Sequence, residues 1–313
     1  EYRRQRQMCI RDSVSAGLTV ITKIDSVEEE IADLVELEVR DYLKSTFLGH
    51  SPILRVDSIR GHGIPELVQA LRNISGQVEP KDANQLFRLP VDRCFTMKGF
   101  GTVVTGTSIS GSIKKENEVE LLPSGRQARI RGIQVYGEPS VSGRAGQRIA
   151  LNLQGVEVSE IYRGVVLTEP HFFKSVSIFD CHLELLKSAP GPIRLRKRVR
   201  FHVGTSELMG YVTLLGCNRL EPGEQSFVQV RLEQATFALP GDRFIIRQYS
   251  PMVTIGGGVI LEGNPTKHRR NDKQALDRLD QLKEGSIGEY LKIFVDEAGL
   301  RALTLEAVVG KLG

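Results

Sequence analysis

The chain has 313 residues, 40% of them hydrophobic and 26% charged, enough apolar material for two or three domain cores rather than one. Its net charge of +4 and pI near 8.9 are too mild to require a nucleic-acid partner but allow one where positive charge is clustered. Four widely spaced cysteines, Cys9, Cys94, Cys181 and Cys217, form no C-x-x-C pair, and the six histidines show no ligand spacing; this argues against a zinc site or a disulfide framework and for a reducing cytoplasm. The sequence also holds no apolar run of the eighteen or so residues a membrane span needs and no secretion signal at its start.

In chain order, Glu1 to Ser13 carries four arginines without a period and is left unassigned. Gly17-Leu-Thr-Val-Ile-Thr22 is a short β-branched run of the kind buried in a parallel sheet, and it leads into the polar Lys23-Ile-Asp25. Ser26, followed by Glu28, Glu29 and Glu30, predicts a capped helix start, with Ile31, Leu34, Val35, Val39 and Leu43 recurring at helical spacing. Pro52 to Val56 predicts a second strand, and Gly61-x-Gly63 before Ile64 to Leu71 predicts a turn into a second helix. Strand, helix, strand, helix is the pattern of an α/β sheet domain.

After Asn73 the pattern changes through a linker of about ten residues. Beyond it, short alternating segments are punctuated by glycine and proline: Leu86 to Pro90, Gly101 to Thr107, Glu118 to Leu122, Ala128 to Tyr136, Arg148 to Leu153, then Phe179 to Leu186 and onward to Leu261. This predicts two all-β barrels. Within the second, Ile193-Arg194-Leu-Arg196-Lys-Arg198-Val-Arg200 alternates strictly and predicts one strand with four arginines on a single face. Helical character returns near Lys273, with Ala275, Leu276, Leu279 and Leu282 on one face.

Several of these segments resemble the translational GTPases. Thr22-Lys23-Ile24-Asp25 is similar to the (N/T)-K-x-D element that reads guanine, and Asp57-Ser58-Ile59-Arg60-Gly61-His62-Gly63-Ile64 is similar to their second guanine loop. The resemblance implies that Asp25 accepts from guanine N1–H and N2–H, that Lys23 lays its stem over the base, and that the Ser58 backbone N–H meets O6. Thr22 stands where many GTPases have asparagine and Asp57 where the motif has serine. The phosphate-binding loop and the metal-linked loop of that family are not seen in these 313 residues, so this stretch by itself is expected not to hydrolyse GTP.

The resemblance narrows further on. Arg88 to Phe95 and Lys98 to Thr107 look like the second domain of the elongation factor Tu relatives. Asp92-Arg93 together with Gly146-Gln-Arg148-Ile-Ala-Leu-Asn152 resembles the selenocysteine-specific elongation factors, whose corresponding Asp and two Arg line the aminoacyl pocket; Asp92, Arg93 and Arg148 inherit that expectation. A selenol is largely ionised at neutral pH and a serine hydroxyl is not, so paired guanidinium groups favour the former. Phe201 to Glu207, Gly241 to Arg247 and Thr254 to Val259 are similar to the third domain of the same factors, where Arg194, Arg196, Arg198 and Arg200 would lie near tRNA phosphates.

The implied organisation is a multi-domain one: residues 14–76 as the C-terminal part of a GTPase domain, 77–173 and 174–264 as two β-barrels, and 265–313 as the beginning of a winged-helix domain, cut inside the GTP-binding domain at one end and inside the RNA-reading region at the other. The implied function is GTP-dependent delivery of selenocysteinyl-tRNA to the ribosome at recoded stop codons, with GTP or GDP and Mg²⁺ bound by the complete protein. An mRNA hairpin would be read by further C-terminal modules, and the factor would be a cytoplasmic monomer. The competing expectations are a Tu-like or initiation-type GTPase for ordinary aminoacyl-tRNA, and a non-enzymatic tRNA-binding barrel module.

Overall fold

The computed structural model describes residues 16–44, 46–299 and 304–312. The arginine-rich edge over residues 1–13 lies outside them. The chain divides into a unit ending at Pro80 and a unit beginning at Lys81.

The first unit holds β1 (Thr19–Thr22), α1 (Glu29–Leu43), β2 (Ile53–Val56) and α2 (Ile64–Ser75). The two strands pair in parallel, with Thr19 opposite Ile53 and Thr22 opposite Val56. Two details depart from expectation. Ser26 does not cap α1: a 3-10 turn occupies Ile24–Ser26, Ser26 N–H donates to the Lys23 carbonyl, and the helix starts three residues later behind Glu28. The cause is Lys23, whose left-handed backbone (φ 61°) turns the chain before a helix can form. The apolar face of α1 is also not buried, since Ile31, Leu34 and Leu37 are exposed. Arg55 of β2 bridges to the helix by pairing with Asp33 and Glu36, each at 2.7 Å.

In the second unit a seven-stranded antiparallel sheet runs β3 (Arg88–Met97), β4 (Gly101–Thr107), β5 (Ser112–Lys114), β6 (Glu118–Leu122), β7 (Arg126–Val135), β8 (Glu138–Ser140), β9 (Ser142–Arg144), β10 (Arg148–Gln154) and β11 (Val166–Thr168), with β5 and β9 forming a separate small pair. The order is β10-β4-β3-β11-β6-β7-β8, and pairing of β10 with β7 closes it into a barrel. Alternation puts Leu89, Val91, Val104, Leu121, Ile130, Ile149, Leu151 and Leu167 inside.

A second closed barrel follows. Its segments are β12 (Val176–Leu185), β13 (Ile193–Arg194), β14 (Arg196–Val203), β15 (Ser206–Leu214), β16 (Arg219–Leu220), β17 (Gln225–Thr236), β18 (Arg243–Gln248) and β19 (Thr254–Gly263), closed in the order β12-β17-β15-β14-β18-β19. Phe179, Phe201 and Phe244 stack through its centre at centroid distances of 6.4 and 4.9 Å. The expected single strand from Ile193 to Arg200 is broken. Leu195 takes a positive φ (29°), so β13 turns away to pair with β16 while β14 enters the barrel between β15 and β18.

The two barrels are tied together by an apolar cluster of Leu122, Val166, Phe173, Phe237 and Leu239, by the Arg88–Asp242 ion pair, and by the Ser206 hydroxyl donating to the Gly164 carbonyl at 2.9 Å. Helices α3 (Lys273–Glu284), α4 (Ile287–Ala298) and α5 (Leu305–Leu312) close the described chain. Leu279 and Leu282 of α3 pack with Leu215 and Leu261 of the second barrel. Buried Glu262 is compensated by Arg278 at 2.8 Å and Lys311 at 3.5 Å, as a buried charge must be. The segment leading to α3 is pinned where His268 meets the wholly buried Asp180 at 2.5 Å, with Gln229 donating to the other Asp180 oxygen at 3.0 Å and to the Thr266 carbonyl at 2.9 Å. Among the described residues no helix is long and apolar enough to cross a membrane.

Candidate functional site

Three groups of residues carry the expected chemistry. In the first unit, the parallel pairing of β1 with β2 sets the loops after Thr22 and after Val56 side by side at the carboxyl ends of the strands, the place where open α/β sheets hold ligands. Lys23 is strained into the left-handed region, a conformation that a non-glycine residue keeps only where its surroundings demand it. Asp25 is exposed in the following turn. Asp57 is only 2% exposed, and its Oδ1 accepts from the backbone N–H of Ile59 at 2.8 Å and of Arg60 at 3.2 Å. Those bonds spend the carboxylate on shaping its own loop, so Asp57 supports Ser58 rather than facing a base itself. Gly63 is fixed by close approach, since a Cβ there would lie 2.0 Å from the Arg55 carbonyl oxygen. The two loops set an exposed carboxylate, Asp25, at one side and a tight backbone turn shaped by Asp57 and Gly63 at the other.

The second group lies on the first barrel. Along β3 the inward positions run Leu89, Val91 and then Cys94, an interval of three instead of two, because the pairing with β4 slips by one residue between Val91 and Arg93. This bulge leaves both Asp92 and Arg93 on the outside, where strict alternation would have separated them. From β10, Arg148 reaches across β4 and grips Asp92 through two parallel bonds, Nη1 to Oδ2 at 2.6 Å and Nη2 to Oδ1 at 3.1 Å. The Thr105 hydroxyl on the intervening strand donates to Asp92 Oδ1 at 2.7 Å. Partial burial pushes the Asp92 carboxyl up, but the hydrogen bonds from Arg148 and Thr105 and the nearby charges of Arg148 and Arg93 outweigh it and hold Asp92 below the usual aspartate range. Arg148 is raised in turn, chiefly by Asp92. The bulge thus brings Asp92, Arg93 and Arg148 to one patch, with Arg93 exposed beside an ion pair that is already made.

The third group is the basic stripe. Arg196, Arg198 and Arg200 share one face of β14, while Arg194 is separated from them by the break at Leu195. Arg196 lies 4.0 Å over the Tyr211 ring, and Arg198 and Arg200 approach Tyr249 at 5.2 and 5.6 Å. Arg198 pairs with Glu233 at 2.8 Å and Arg200 with Glu207 at 2.7 Å. These are partly exposed pairs of small energetic worth, which a phosphate can replace at little cost.

Comparison with known proteins agrees with the two-barrel fold. Residues 181–267 match the family described as selenocysteine-specific elongation factor, beta-barrel domain, and residues 101–168 match elongation factor Tu domain 2. The selenocysteine-specific elongation factor of Desulfomicrobium baculatum is 40% identical over 305 residues, 97% of this chain and 48% of that protein. The chain belongs to the selenocysteine-specific elongation factors. The Haemophilus influenzae member is 31% identical over 82% of the chain and 40% of its own length, so the chain spans about half the length of the curated relatives it matches. Among solved structures, the bacterial selenocysteine-specific elongation factor EF-Sec superposes with a TM-score of 0.78 at 24% identity, covering 95% of this chain and 48% of that one. Translation elongation factor SelB of Methanococcus maripaludis, in complex with the GTP analogue GppNHp, gives 0.69 at 26% identity over 83% of this chain and 62% of that one.

The structure brings together Asp92, Arg93 and Arg148, the three residues the sequence singles out on the first barrel, and adds the partners that orient them, which the sequence does not show. Thr105, Tyr211 and Tyr249 are recognisable only through cross-strand register, which pairs Thr105 with Arg93 and Arg198 with Tyr211; nothing in their local sequence sets them apart from other strand residues.

Proposed function

We propose that the complete protein delivers selenocysteinyl-tRNA to the ribosome in a GTP-dependent manner, at codons otherwise read as stops. The observation that carries this reading is the bidentate Asp92–Arg148 pair with Arg93 exposed beside it on the Tu-like barrel. A patch with one neutralised and one unneutralised guanidinium favours an ionised selenol over a neutral hydroxyl of the same shape. It also argues against a factor for ordinary aminoacyl-tRNA, whose cargo is for the most part uncharged or cationic at the side chain and gains nothing from a fixed cation there.

Thr22, Lys23, Asp25 and Ser58 would hold the guanine of GTP or GDP, with Asp57 shaping the loop. Asp25 would accept from the two guanine donors, Lys23 would cover the base, and the Ser58 N–H would meet O6. The nucleotide and its Mg²⁺ supply the hydrolysable phosphate whose presence or loss marks the delivery state. Cytoplasmic location, a monomeric state, ribosome contact, and mRNA-hairpin reading by a winged-helix region that begins near residue 265 belong to the same proposal.

Arg196, Arg198 and Arg200 are assigned to tRNA phosphates, while Arg194, on the separate strand β13, is not part of that face. Each phosphate contact releases counterions, so Arg196→Ala combined with Arg198→Ala lowers the slope of log affinity against log salt by about 1 to 2. Titrations of aminoacyl-tRNA at several salt concentrations measure it. An unchanged slope would return these arginines to the role of ordinary surface charges balanced by Glu233 and Glu207.

A further inference from the structure

The register of β3, β4 and β10 puts Thr105 at the centre of the patch. It lies directly across from Arg93 on one side and from Ala150 on the other, and directly opposed residues share a face of the sheet. Arg148 stands two positions before Ala150 on β10, hence on that same face. Arg93, Thr105, Ala150 and Arg148 therefore line one outer surface, with the two small side chains as its floor and the two guanidinium groups as its walls.

Asp92 stands between those walls and has two ways to pair. It feels Arg93 electrostatically as well as Arg148, yet both of its oxygens go to Arg148, and Arg93 forms no ion pair among the described residues. The group that breaks the tie is Thr105. Its hydroxyl donates to Asp92 Oδ1 at 2.7 Å, and the same oxygen lies 3.4 Å from Arg148 Nη2 as an acceptor. Asp92, Thr105 and Arg148 thus close a small ring of hydrogen bonds in which each member fixes the other two. Threonine suits the role because branching at Cβ restricts χ1 and holds the hydroxyl in one direction.

We infer that Thr105 is a positioning residue for amino-acid discrimination: its hydroxyl holds Asp92 on Arg148 and so leaves Arg93 as the uncompensated guanidinium that receives an anionic side chain such as a selenolate. The inference rests on the reading of this patch as the aminoacyl pocket. Without the hydroxyl, Asp92 is free to swing toward Arg93, which neutralises the cation that distinguishes selenolate from hydroxyl. Binding of a neutral side chain depends little on which arginine is paired, so the ratio of the two affinities carries the effect.

The test uses the complete factor with selenocysteinyl-tRNA and seryl-tRNA on one tRNA body, over a pH range in which the selenol titrates. Thr105→Val, which keeps the shape and removes the donor, is expected to lower the selenocysteinyl-to-seryl affinity ratio by about fivefold, with the loss falling mainly on selenocysteinyl-tRNA. It should also flatten the rise of that ratio with pH, and Thr105→Ser should restore both. A wild-type ratio and pH profile in Thr105→Val, alongside a reduced ratio in Arg93→Ala, would overturn the inference alone. Equal losses on both tRNAs in Thr105→Val would overturn it as well, by showing a merely structural role. Unchanged ratios in both Arg93→Ala and Arg148→Ala would overturn the pocket reading and this inference with it.

Discussion

Reversing the charge at Arg148 (Arg148→Glu) in the complete factor is expected to weaken selenocysteinyl-tRNA binding by about tenfold to a hundredfold and seryl-tRNA binding far less. Two effects add. The bidentate bonds to Asp92 at 2.6 and 3.1 Å are lost, and a second carboxylate is set against Asp92 and against the incoming anion, where like charges repel. Partial exposure of the pair, 46% for Arg148 and 30% for Asp92, keeps the effect below that of a buried pair. Arg93→Glu should act in the same direction, through the anion directly. Equal losses for the two tRNAs would contradict the pocket assignment. A stability signature accompanies the first variant. Because Asp92 is lowered in the folded state, the stabilisation it gives is present above the ordinary carboxylate range and lost as pH falls through the lowered value. In Arg148→Glu the Arg148 hydrogen bonds and charge that help lower it are gone, and this part of the acid sensitivity shrinks.

The second large effect is expected at Gly258. A Cβ there would lie 1.8 Å from the His182 carbonyl oxygen on β12, and Cβ atoms at Gly256 and Gly257 would come within 2.5 and 2.8 Å of the Glu184 and Phe244 carbonyl oxygens. Three glycines in succession let β19 lie close against both β12 and β18 and so close the second barrel. Gly258→Ala must push β19 off β12, with an expected loss on the order of 3 kcal/mol of stability or outright failure of the barrel to close. Gly191→Ala is the control, since no atom lies within 4 Å of the added carbon, and it should be nearly neutral. Denaturant unfolding of both variants measures the difference; similar midpoints for the two would contradict the close-approach explanation.

The alternation of short apolar segments made both barrels legible in the sequence, because each strand buries one face, and the inward residues of β6 and β10 follow that period without interruption. Where local backbone geometry broke the period, the sequence misled. Ile193 to Arg200 alternates cleanly, but the turn at Leu195 depends on β13 pairing with β16, a contact between residues far apart in the chain. Ser26 has the chemistry of a helix cap and is pre-empted by the left-handed Lys23. At the site, Asp92, Arg93 and Arg148 were readable as residues, while the bulge that puts Asp92 and Arg93 on one side of β3 was not, since it appears only in the pairing with β4. Asp57 likewise reads as a substituted guanine-loop residue, and only its two backbone hydrogen bonds reveal its part in folding the loop.

The most direct measurement is the affinity of this chain for selenocysteinyl-tRNA and for seryl-tRNA carrying the same tRNA body, at two salt concentrations. A clear preference for the selenocysteinyl form, retained at both, is expected if amino-acid reading resides around Asp92, Arg93 and Arg148. Salt-sensitive binding of both tRNAs with equal affinity would contradict that placement and leave a pair of barrels that grips tRNA without reading its cargo.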